Sequence, residues 1–220
     1  MTEEHYPEDS LLFSEIYKDY VSNKASGKPY FSFSVTVESH GPYDMDSYSG
    51  NKEYLTGGYS EGCKNAVNNY ISVLEESDKE LTKLIEKLRK DSEPVILVTF
   101  GDHLPWMGNG GEFYEEMGIN IDTNTDEGVR TYYSTRYLIW ANPAAKELLD
   151  KDFTGEDMEI SPCYLMNLVF KKIGWDGSAY MQAMSNMMEI FPVVTTNGRY
   201  VVDGVLIDDI PEERQNLFQD

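Results

Sequence analysis

A run of seven residues from Pro94 to Phe100 constrains the fold more than any other part of the chain. The run is apolar and rich in β-branched side chains, which is typical of a strand buried on both faces of a sheet. Gly101, Asp102 and His103 follow it directly. Open α/β sheets place their chemistry just beyond the carboxyl ends of such strands. The run therefore predicts an α/β fold with Asp102 and His103 at the functional edge of the sheet.

A second strand is predicted over residues 31–37, where apolar residues alternate with small hydroxyl residues. The amphipathic pattern over residues 66–90 predicts a long helix that joins the two strands in a right-handed crossover. His40 and His103 each lie three residues beyond one of these strands. If the strands are parallel neighbours, both imidazoles project from the same edge of the sheet. We therefore expect His40, Asp102 and His103 to converge on one crevice, where a carboxylate and imidazoles can bind a divalent metal.

The remaining sequence predicts more helices and a small sheet at the end of the chain. The predicted elements are a helix from Asp9 or Ser10 to Ser26, long loops over residues 38–61 and 108–127, a short strand over residues 137–140, a short helix that begins at Asn142 and Pro143, and helices over residues 161–173 and 178–189. Turn signals at Asn197 and Gly198 and at Asp203 and Gly204, between β-branched runs, predict a three-stranded meander. Trp106, Trp140 and Trp175 are assigned to the core or to helix faces.

The charge of the chain excludes some classes of partner. With 18 basic and 39 acidic residues the net charge is −21, which argues against binding to nucleic acid or to an anionic membrane surface. No apolar run is long enough for a spanning helix, and the first residues do not form a signal peptide. Cys63 and Cys163 stand far apart in the sequence, so a structural zinc site is not expected.

The order of these motifs resembles the sulfatase-like enzymes of the lipoteichoic acid synthase group, which are phosphoglycerol transferases of the alkaline phosphatase superfamily. The resemblance rests on residues 39–43 (Ser-His-Gly-Pro-Tyr), 100–103 (Phe-Gly-Asp-His) and 137–142 (Tyr-Leu-Ile-Trp-Ala-Asn), and extends over most of the chain. It implies an α/β fold, an alkaline-phosphatase or sulfatase-like three-layer sandwich that is incomplete at its N-terminal side. Residues 1–190 would form the C-terminal portion of the catalytic domain, and residues 191–220 the β meander and tail.

The resemblance also implies a site and a reaction. Asp102 and His103 match the family's paired metal ligands, and His40 matches its substrate-contacting histidine. The expected cofactor is Mn²⁺, with Zn²⁺ or Mg²⁺ as alternatives. Such enzymes transfer glycerol phosphate from a phosphatidylglycerol-type lipid through a covalent phosphothreonine to a glycolipid or polymer acceptor. They act at the extracellular face of the cell membrane, to which N-terminal helices anchor them.

This sequence departs from the family pattern at the nucleophile. In the family, the threonine and a further acidic ligand come from the N-terminal half of the catalytic domain. Thr56 and Thr195 do not lie at strand-to-helix turns, where a nucleophile is usually presented. We therefore expect the chain to be a soluble fragment that is inactive alone, with self-association covering its open sheet edge.

Two other functions stay open at this point. The first is a non-catalytic domain of the same fold that binds envelope glycans or teichoic-acid polymers, with sugars stacked on Tyr43, Tyr48, Tyr54 and Tyr59. The second is a stand-alone cytosolic hydrolase that uses His40 and His103 without a nucleophilic side chain.

Overall fold

The structure is a computed structural model that describes residues 6–156, 158–195, 198–202 and 204–212. Two compact units divide the chain, Met1–Ala145 and Lys146–Asp220. This division falls well before the domain boundary expected at residue 190, and that boundary stays a prediction. The candidate site residues all belong to the first unit.

The first unit is mainly helical around a two-stranded sheet. Its elements are α1 (Asp9–Lys24), α2 (Glu61–Arg89), β1 (Ile96–Phe100), a 3₁₀ turn (Asn109–Gly111), α3 (Glu112–Glu116), α4 (Asp126–Tyr133), β2 (Tyr137–Ala141) and α5 (Pro143–Leu149), whose last residues pass into the second unit. The predicted helices α1, α2 and α5 and the strands β1 and β2 are confirmed. Helix α2 begins earlier than predicted because Ser60 caps it, with its hydroxyl accepting from the Cys63 N–H at 3.2 Å.

Strand β1 pairs with β2 in antiparallel register. Ile96 lies opposite Ala141, and Phe100 lies opposite Tyr137. The predicted burial of β1 on both faces is wrong, because its residues are half-buried and Phe100 is 45% exposed. The pairing partner of β1 is therefore the strand that follows it in sequence, not the strand predicted before it.

The strand predicted over residues 31–37 is not formed. The segment has no regular secondary structure and pairs with no strand in the described part of the chain. Phe31, Phe33 and Val35 are 77%, 69% and 68% exposed. A strand needs a neighbouring strand to satisfy its backbone hydrogen bonds. Alternating side chains favour a strand but do not supply that neighbour. The predicted parallel crossover is accordingly wrong for this structure.

The region predicted as a second long loop contains short helices. The 3₁₀ turn and α3 lie within it, and α4 begins near its end. Gly110 and Gly111 have φ values of 75° and 81°, which residues other than glycine rarely adopt. They turn the chain into α3. Phe113 and Tyr114 of α3 then enter the core of the first unit, which contains Cys63, Ala66, Val67, Met107, Phe113 and Tyr114.

The buried amide of Asn142 joins three parts of the first unit. Its side chain is fully buried. The Oδ1 atom accepts from the N–H groups of Val95 and Ala145, both at 2.9 Å. The Nδ2 atom donates to the carbonyls of Leu88, Asp91 and Glu93 at 3.3, 3.2 and 2.7 Å. One side chain thus fixes the end of α2, the approach to β1 and the first turn of α5.

The second unit combines two helices with a small sheet. It contains a 3₁₀ turn (Pro162–Tyr164), α6 (Leu165–Ile173), α7 (Ala179–Ile190), β3 (Val193–Val194), β4 (Tyr200–Val202) and β5 (Val205–Ile207). The strands form an antiparallel meander in the order β3-β4-β5, as predicted. Asn197 and Asp203 of the predicted turns lie outside the described residues. Ser161 ties this sheet to the helices, because its hydroxyl bonds both the N–H and the carbonyl of Val194.

Replacing Asn142 tests how far the first unit depends on this amide. We expect Asn142→Ala to lower the free energy of unfolding by roughly 3 kcal/mol, because it leaves several buried backbone groups without partners. Urea denaturation followed by tryptophan fluorescence measures the change. Asn23→Ala is the control, since the Asn23 amide bonds a carbonyl on the exposed surface of α1, and we expect a loss below about 0.5 kcal/mol there. Similar losses in both variants would contradict this role of Asn142.

Candidate active site

Asp102 and His103 lie in the loop that follows β1. Gly101 extends the pairing of the two strands, since its N–H donates to the Arg136 carbonyl at 3.0 Å and its carbonyl accepts from the Thr135 hydroxyl at 2.7 Å. The loop leaves the sheet immediately after this point. Asp102 Oδ1 accepts the backbone N–H of His103 at 2.8 Å, which turns the carboxylate toward its neighbour.

The imidazole of His103 has a defined tautomer. Its Nδ1 atom lies 2.9 Å from the carbonyl oxygen of Leu104. A carbonyl can only accept, so Nδ1 carries a proton and donates it. The Nε2 atom then bears the lone pair in the neutral ring. That atom lies 3.4 Å from Asp102 Oδ2.

The pair Asp102 and His103 is suited to hold a cation. Two electron-rich atoms face each other at 3.4 Å, an arrangement that a shared cation stabilises. Two ligands bound to one tetrahedral ion at about 2.1 Å lie roughly 3.4 Å apart. Both side chains are well exposed, so an ion can reach them. The carboxylate and the imidazole therefore fit as two adjacent ligands of one divalent metal.

His40 lies beside this pair. The rings of His40 and His103 are 6.2 Å apart and nearly perpendicular, and the Tyr6 ring lies 5.6 Å from His40 on another side. The His40 Nδ1 atom lies 2.7 Å from the Gly41 carbonyl, so this nitrogen also donates and Nε2 stays available. The predicted convergence of His40, Asp102 and His103 is thus found. It arises through a segment without regular secondary structure rather than through the predicted pair of parallel strands.

The turn that carries His40 is anchored at both sides. The Glu38 carboxylate accepts from the Asp9 N–H at 2.7 Å, at the start of α1. The Tyr43 hydroxyl donates to the Ser39 carbonyl at 2.8 Å. Burial raises the pKa of Tyr43, and the neighbouring Tyr70 raises it further. Tyr43 therefore stays neutral and keeps donating this hydrogen bond through the physiological range of pH.

Tyr114 fixes the loop on the other side of the site. Its hydroxyl donates to the Pro105 carbonyl at 2.7 Å, and its side chain is buried in the core. Burial raises its pKa to about 12, with smaller contributions from Tyr70 and Tyr132. The loop that carries His103 is thus attached to α3 through a neutral, buried donor.

An aromatic cleft of about 240 Å³ adjoins the two candidate metal ligands. Its lining residues are Asp102, His103, Leu104, Pro105, Trp106, Tyr114, Ile121, Tyr132 and Tyr133. Trp106 and Tyr133 are 55% and 53% exposed, so the assignment of Trp106 to the core or a helix face is wrong. The sequence signal that was missed is proximity, because Trp106 stands three residues after His103 and Tyr133 four residues before β2.

The tyrosines proposed to stack on sugars are used for packing instead. Tyr43, Tyr48, Tyr54 and Tyr59 are all half-buried. The Tyr48 hydroxyl donates to the Lys52 carbonyl at 2.6 Å, and the Tyr54 hydroxyl donates to Glu75. The buried amide of Asn68 holds the same loop by accepting the Tyr54 N–H at 2.6 Å. The exposed aromatic surface next to the site is therefore the cleft, not this loop.

Asp102 and His103 are the two candidate metal ligands that lie together in the part of the chain that the structure describes. Among the described residues, no group of three or more histidine, cysteine, aspartate or glutamate side chains is arranged so that it could hold a metal ion. Catalytic metal centres usually have three protein ligands. Asp102 and His103 fit part of such a centre, and a further ligand has to join them for tight binding.

Comparison with known proteins identifies the family. The sequence model of the sulfatase family matches residues 2–167, and the chain belongs to this family. In overall fold it is similar to the Streptococcus pyogenes phosphoglycerol transferase GacH, solved in complex with sn-glycerol-1-phosphate. The TM-score is 0.55 at 18% identity, over 84% of this chain and 42% of that one. The sulfatase-like fold predicted from the sequence is therefore confirmed.

Two proteins of Rhizobium meliloti (strain 1021) are similar in sequence. A putative cyclic beta-1,2-glucan modification protein is 24% identical over 194 residues, which are 83% of this chain and 29% of that protein. The capsular polysaccharide biosynthesis protein RkpI is 36% identical over 75 residues, which are 34% of this chain and 12% of that protein. The chain thus spans less than a third of the length of either relative. Within its described residues, no helix has the length and apolar character needed to cross a membrane.

Removal of the Tyr114 hydroxyl tests whether its hydrogen bond to the Pro105 carbonyl stabilises the loop. We expect Tyr114→Phe to lower the free energy of unfolding by about 1 kcal/mol at neutral pH, because the Pro105 carbonyl loses its donor. The pKa of Tyr114 in the folded chain, about 12, lies above its ordinary value of 10.0. The contribution of this raised pKa to the free energy of unfolding is fully present below pH 10. It is lost as the pH rises toward 12. The difference between the two proteins should therefore shrink in that window.

Urea denaturation at neutral and at alkaline pH measures both effects. Tyr180→Phe is the matched control, because Tyr180 is 69% exposed. A Tyr114→Phe protein as stable as the wild type at neutral pH would show that the hydrogen bond does not hold the loop.

Proposed function

We propose that this chain contributes part of the active site of a metal-dependent phosphoglycerol transferase that modifies a cell-envelope glycan or polymer. The observation that carries the proposal is the geometry of Asp102 and His103, whose facing oxygen and nitrogen atoms are 3.4 Å apart, with the His40 ring beside them. Membership of the sulfatase family and the fold similarity to a phosphoglycerol transferase support this assignment.

Each of the three residues has a distinct task in this proposal. Asp102 Oδ2 and His103 Nε2 hold the divalent ion, with Mn²⁺ proposed first and Zn²⁺ or Mg²⁺ as alternatives. When bound, such an ion polarises a phosphoryl oxygen and lowers the pKa of an attacking hydroxyl. In its imidazolium form His40 carries a proton on Nε2 as well as on Nδ1, and the Nε2–H group would hydrogen-bond the phosphoryl group or give its proton to the leaving alkoxide.

The rest of the active site is proposed to come from the part of the relatives that this chain does not span. A threonine nucleophile and a further acidic ligand belong to that part in the family resemblance. The chain alone is then inactive. The proposed donor is a phosphatidylglycerol-type lipid at the extracellular face of the membrane, where an N-terminal membrane anchor would hold the complete enzyme.

The aromatic cleft is the proposed binding site for the acceptor. Its opening combines the exposed rings of Trp106 and Tyr133 with the polar groups of Asp102 and His103. Flat aromatic rings stack well on the apolar faces of sugars, and nearby polar groups can bond the hydroxyls. The names of the two Rhizobium relatives, which refer to glucan modification and capsular polysaccharide biosynthesis, agree with a glycan acceptor.

A second candidate function is a non-catalytic glycan-binding domain of the same fold. The observation that favours it is that only two candidate metal ligands come together among the described residues, whereas a catalytic metal centre usually needs three or more. Such a domain would bind polymer with or without a metal. Chelation therefore separates the two functions, because only the transferase needs the ion.

Metal binding is the direct test of the two proposed ligands. We expect the chain to bind Mn²⁺ weakly, and Asp102→Asn and His103→Gln each to weaken that binding about tenfold or more. Isothermal titration calorimetry or the electron paramagnetic resonance signal of free Mn²⁺ measures the affinity. Asp78→Asn is the matched control, since it removes the same charge from an exposed position of α2. Unchanged Mn²⁺ affinity in the Asp102→Asn, His103→Gln double variant would remove this site.

Acceptor binding is tested with variants of the cleft. We expect Trp106→Ala or Tyr133→Ala to weaken binding of a glucan oligosaccharide about tenfold, a loss of roughly 1.4 kcal/mol. Chemical-shift titration by NMR gives both the affinity and the residues that respond. Trp175→Ala is the control, because Trp175 is as exposed as Trp106 but lies in the second unit. Equal weakening by Trp106→Ala and Trp175→Ala would exclude the cleft as the acceptor site.

A further inference from the structure

A second cleft, the acidic cleft, adjoins the aromatic cleft. It has a volume of about 460 Å³ and is lined by residues 110–112, Glu115 and residues 118–122. Ile121 lines both clefts. A Cβ atom at Gly111 would lie 3.0 Å from the Ile121 Cδ1 atom and 3.8 Å from the Tyr114 Cδ2 atom, so the bare backbone of Gly111 packs against the wall of the aromatic cleft. The two clefts therefore meet at Ile121.

The aromatic cleft is too small to enclose a glycan chain on its own. Sites for small molecules usually measure roughly 300–1,000 Å³ and bury most of the ligand. The aromatic cleft has a volume of about 240 Å³. A sugar stacked on Trp106 and Tyr133 would occupy it, so the next units of a chain have to leave it. The acidic cleft offers room for those units on the other side of Ile121.

The lining of the acidic cleft fits a ligand that is rich in hydroxyl groups. Glu112, Glu115 and Asp122 are exposed and carry carboxylates. A carboxylate only accepts hydrogen bonds, so it pairs with donors such as sugar hydroxyls. At Gly110 and Gly118 no neighbouring atom lies within 4 Å of the position that a Cβ atom would take. A ligand can therefore approach the backbone closely at both glycines.

Glu115 is the carboxylate that is most available to a ligand. Glu112 accepts from the Asn109 N–H at 3.2 Å. Asp122 accepts from the backbone N–H and the side-chain amide of Asn124, at 3.0 and 2.7 Å. Within the described part of the chain, no hydrogen bond or ion pair engages the Glu115 side chain. Both of its oxygen atoms are thus open to hydroxyl donors.

The charge of the lining disfavours a polyanionic chain. No lysine, arginine or histidine is among the described residues that line the acidic cleft. Hydrogen bonds from Asn124 hold the pKa of Asp122 below its ordinary value, so this carboxylate stays ionised at neutral pH. The phosphate groups of a teichoic-acid-type chain or of an anionic lipid would be repelled by these carboxylates. An uncharged glycan meets no such repulsion.

We propose that the acidic cleft is a second binding site for the acceptor, and that it holds the sugar units next to the one in the aromatic cleft. The ligand is an uncharged, hydroxyl-rich glycan chain that passes Ile121, and Glu115 hydrogen-bonds its hydroxyls. This inference rests on the proposed function, because it takes the aromatic cleft as the acceptor site. It adds a second subsite and a selection by charge.

Oligosaccharides of two lengths test the second site. We expect a glucan hexasaccharide to bind roughly tenfold more tightly than a glucan disaccharide, because only the longer ligand reaches both clefts. Chemical-shift titration by NMR measures both affinities. The backbone signals of Glu115 and Ile119 should respond to the hexasaccharide and not to the disaccharide. Equal affinity for the two lengths, with no response at these residues, would overturn the second site.

Variants separate this inference from the proposed function. Glu115→Ala should lower the affinity for the hexasaccharide to that for the disaccharide, whereas Trp106→Ala should weaken binding of both. Glu147→Ala is the matched control, since Glu147 is an exposed glutamate of α5. If Trp106→Ala weakens binding and Glu115→Ala does not, the second site is wrong and the aromatic cleft remains the acceptor site. If neither oligosaccharide binds, the proposed acceptor site is wrong and the second site falls with it.

Polyglycerol phosphate tests the selection by charge. The titration is done without added metal, so that an ion cannot bind the phosphates. We expect this polymer to bind roughly tenfold or more weakly than the glucan hexasaccharide. Glu115→Lys, which reverses one charge in the cleft, should strengthen its binding. Tighter binding of polyglycerol phosphate than of the hexasaccharide to the unmodified chain would overturn the uncharged acceptor.

Discussion

The buried amide of Asn142 is the interaction on which the first unit depends most. It occupies the junction of α2, β1 and α5, where it both donates to and accepts from backbone groups. Buried polar groups stabilise a fold only when they are satisfied, and this one is satisfied by backbone groups alone. Asn142 Oδ1 accepts from the Val95 N–H, and β1 begins at the next residue. The amide therefore anchors the start of the strand whose other end leads to Asp102 and His103.

Local sequence signals predicted the elements that local interactions form. The periodicity of α1 and α2, the apolar runs of β1 and β2, and the C-terminal meander were all recognisable because each is determined within a short stretch of chain. Asp102 and His103 were recognisable for the same reason, since they adjoin in sequence. The approach of His40 to His103 was predicted correctly, but from strand pairing that this structure does not contain.

The features that the sequence did not predict depend on distant parts of the chain. Whether residues 31–37 form a strand depends on a partner that the segment itself cannot specify. The short helix α3 is set by turns at Gly110 and Gly111 and by packing of Phe113 in the core, so it leaves no periodic pattern. The exposure of Trp106 could not be predicted either, because an aromatic side chain in a loop fits a core and a cleft equally well.

The hydrogen bonds of the two imidazoles have a consequence for the evolution of the site. Each Nδ1 atom donates to the carbonyl of the next residue, Gly41 after His40 and Leu104 after His103. A carbonyl is present whatever side chain follows, so the tautomer of each ring is inherited with the backbone and not with a neighbouring side chain. Surrounding side chains can therefore diverge while both Nε2 atoms keep their chemical state. The state of the rings and the shape of the surface around them can thus change independently.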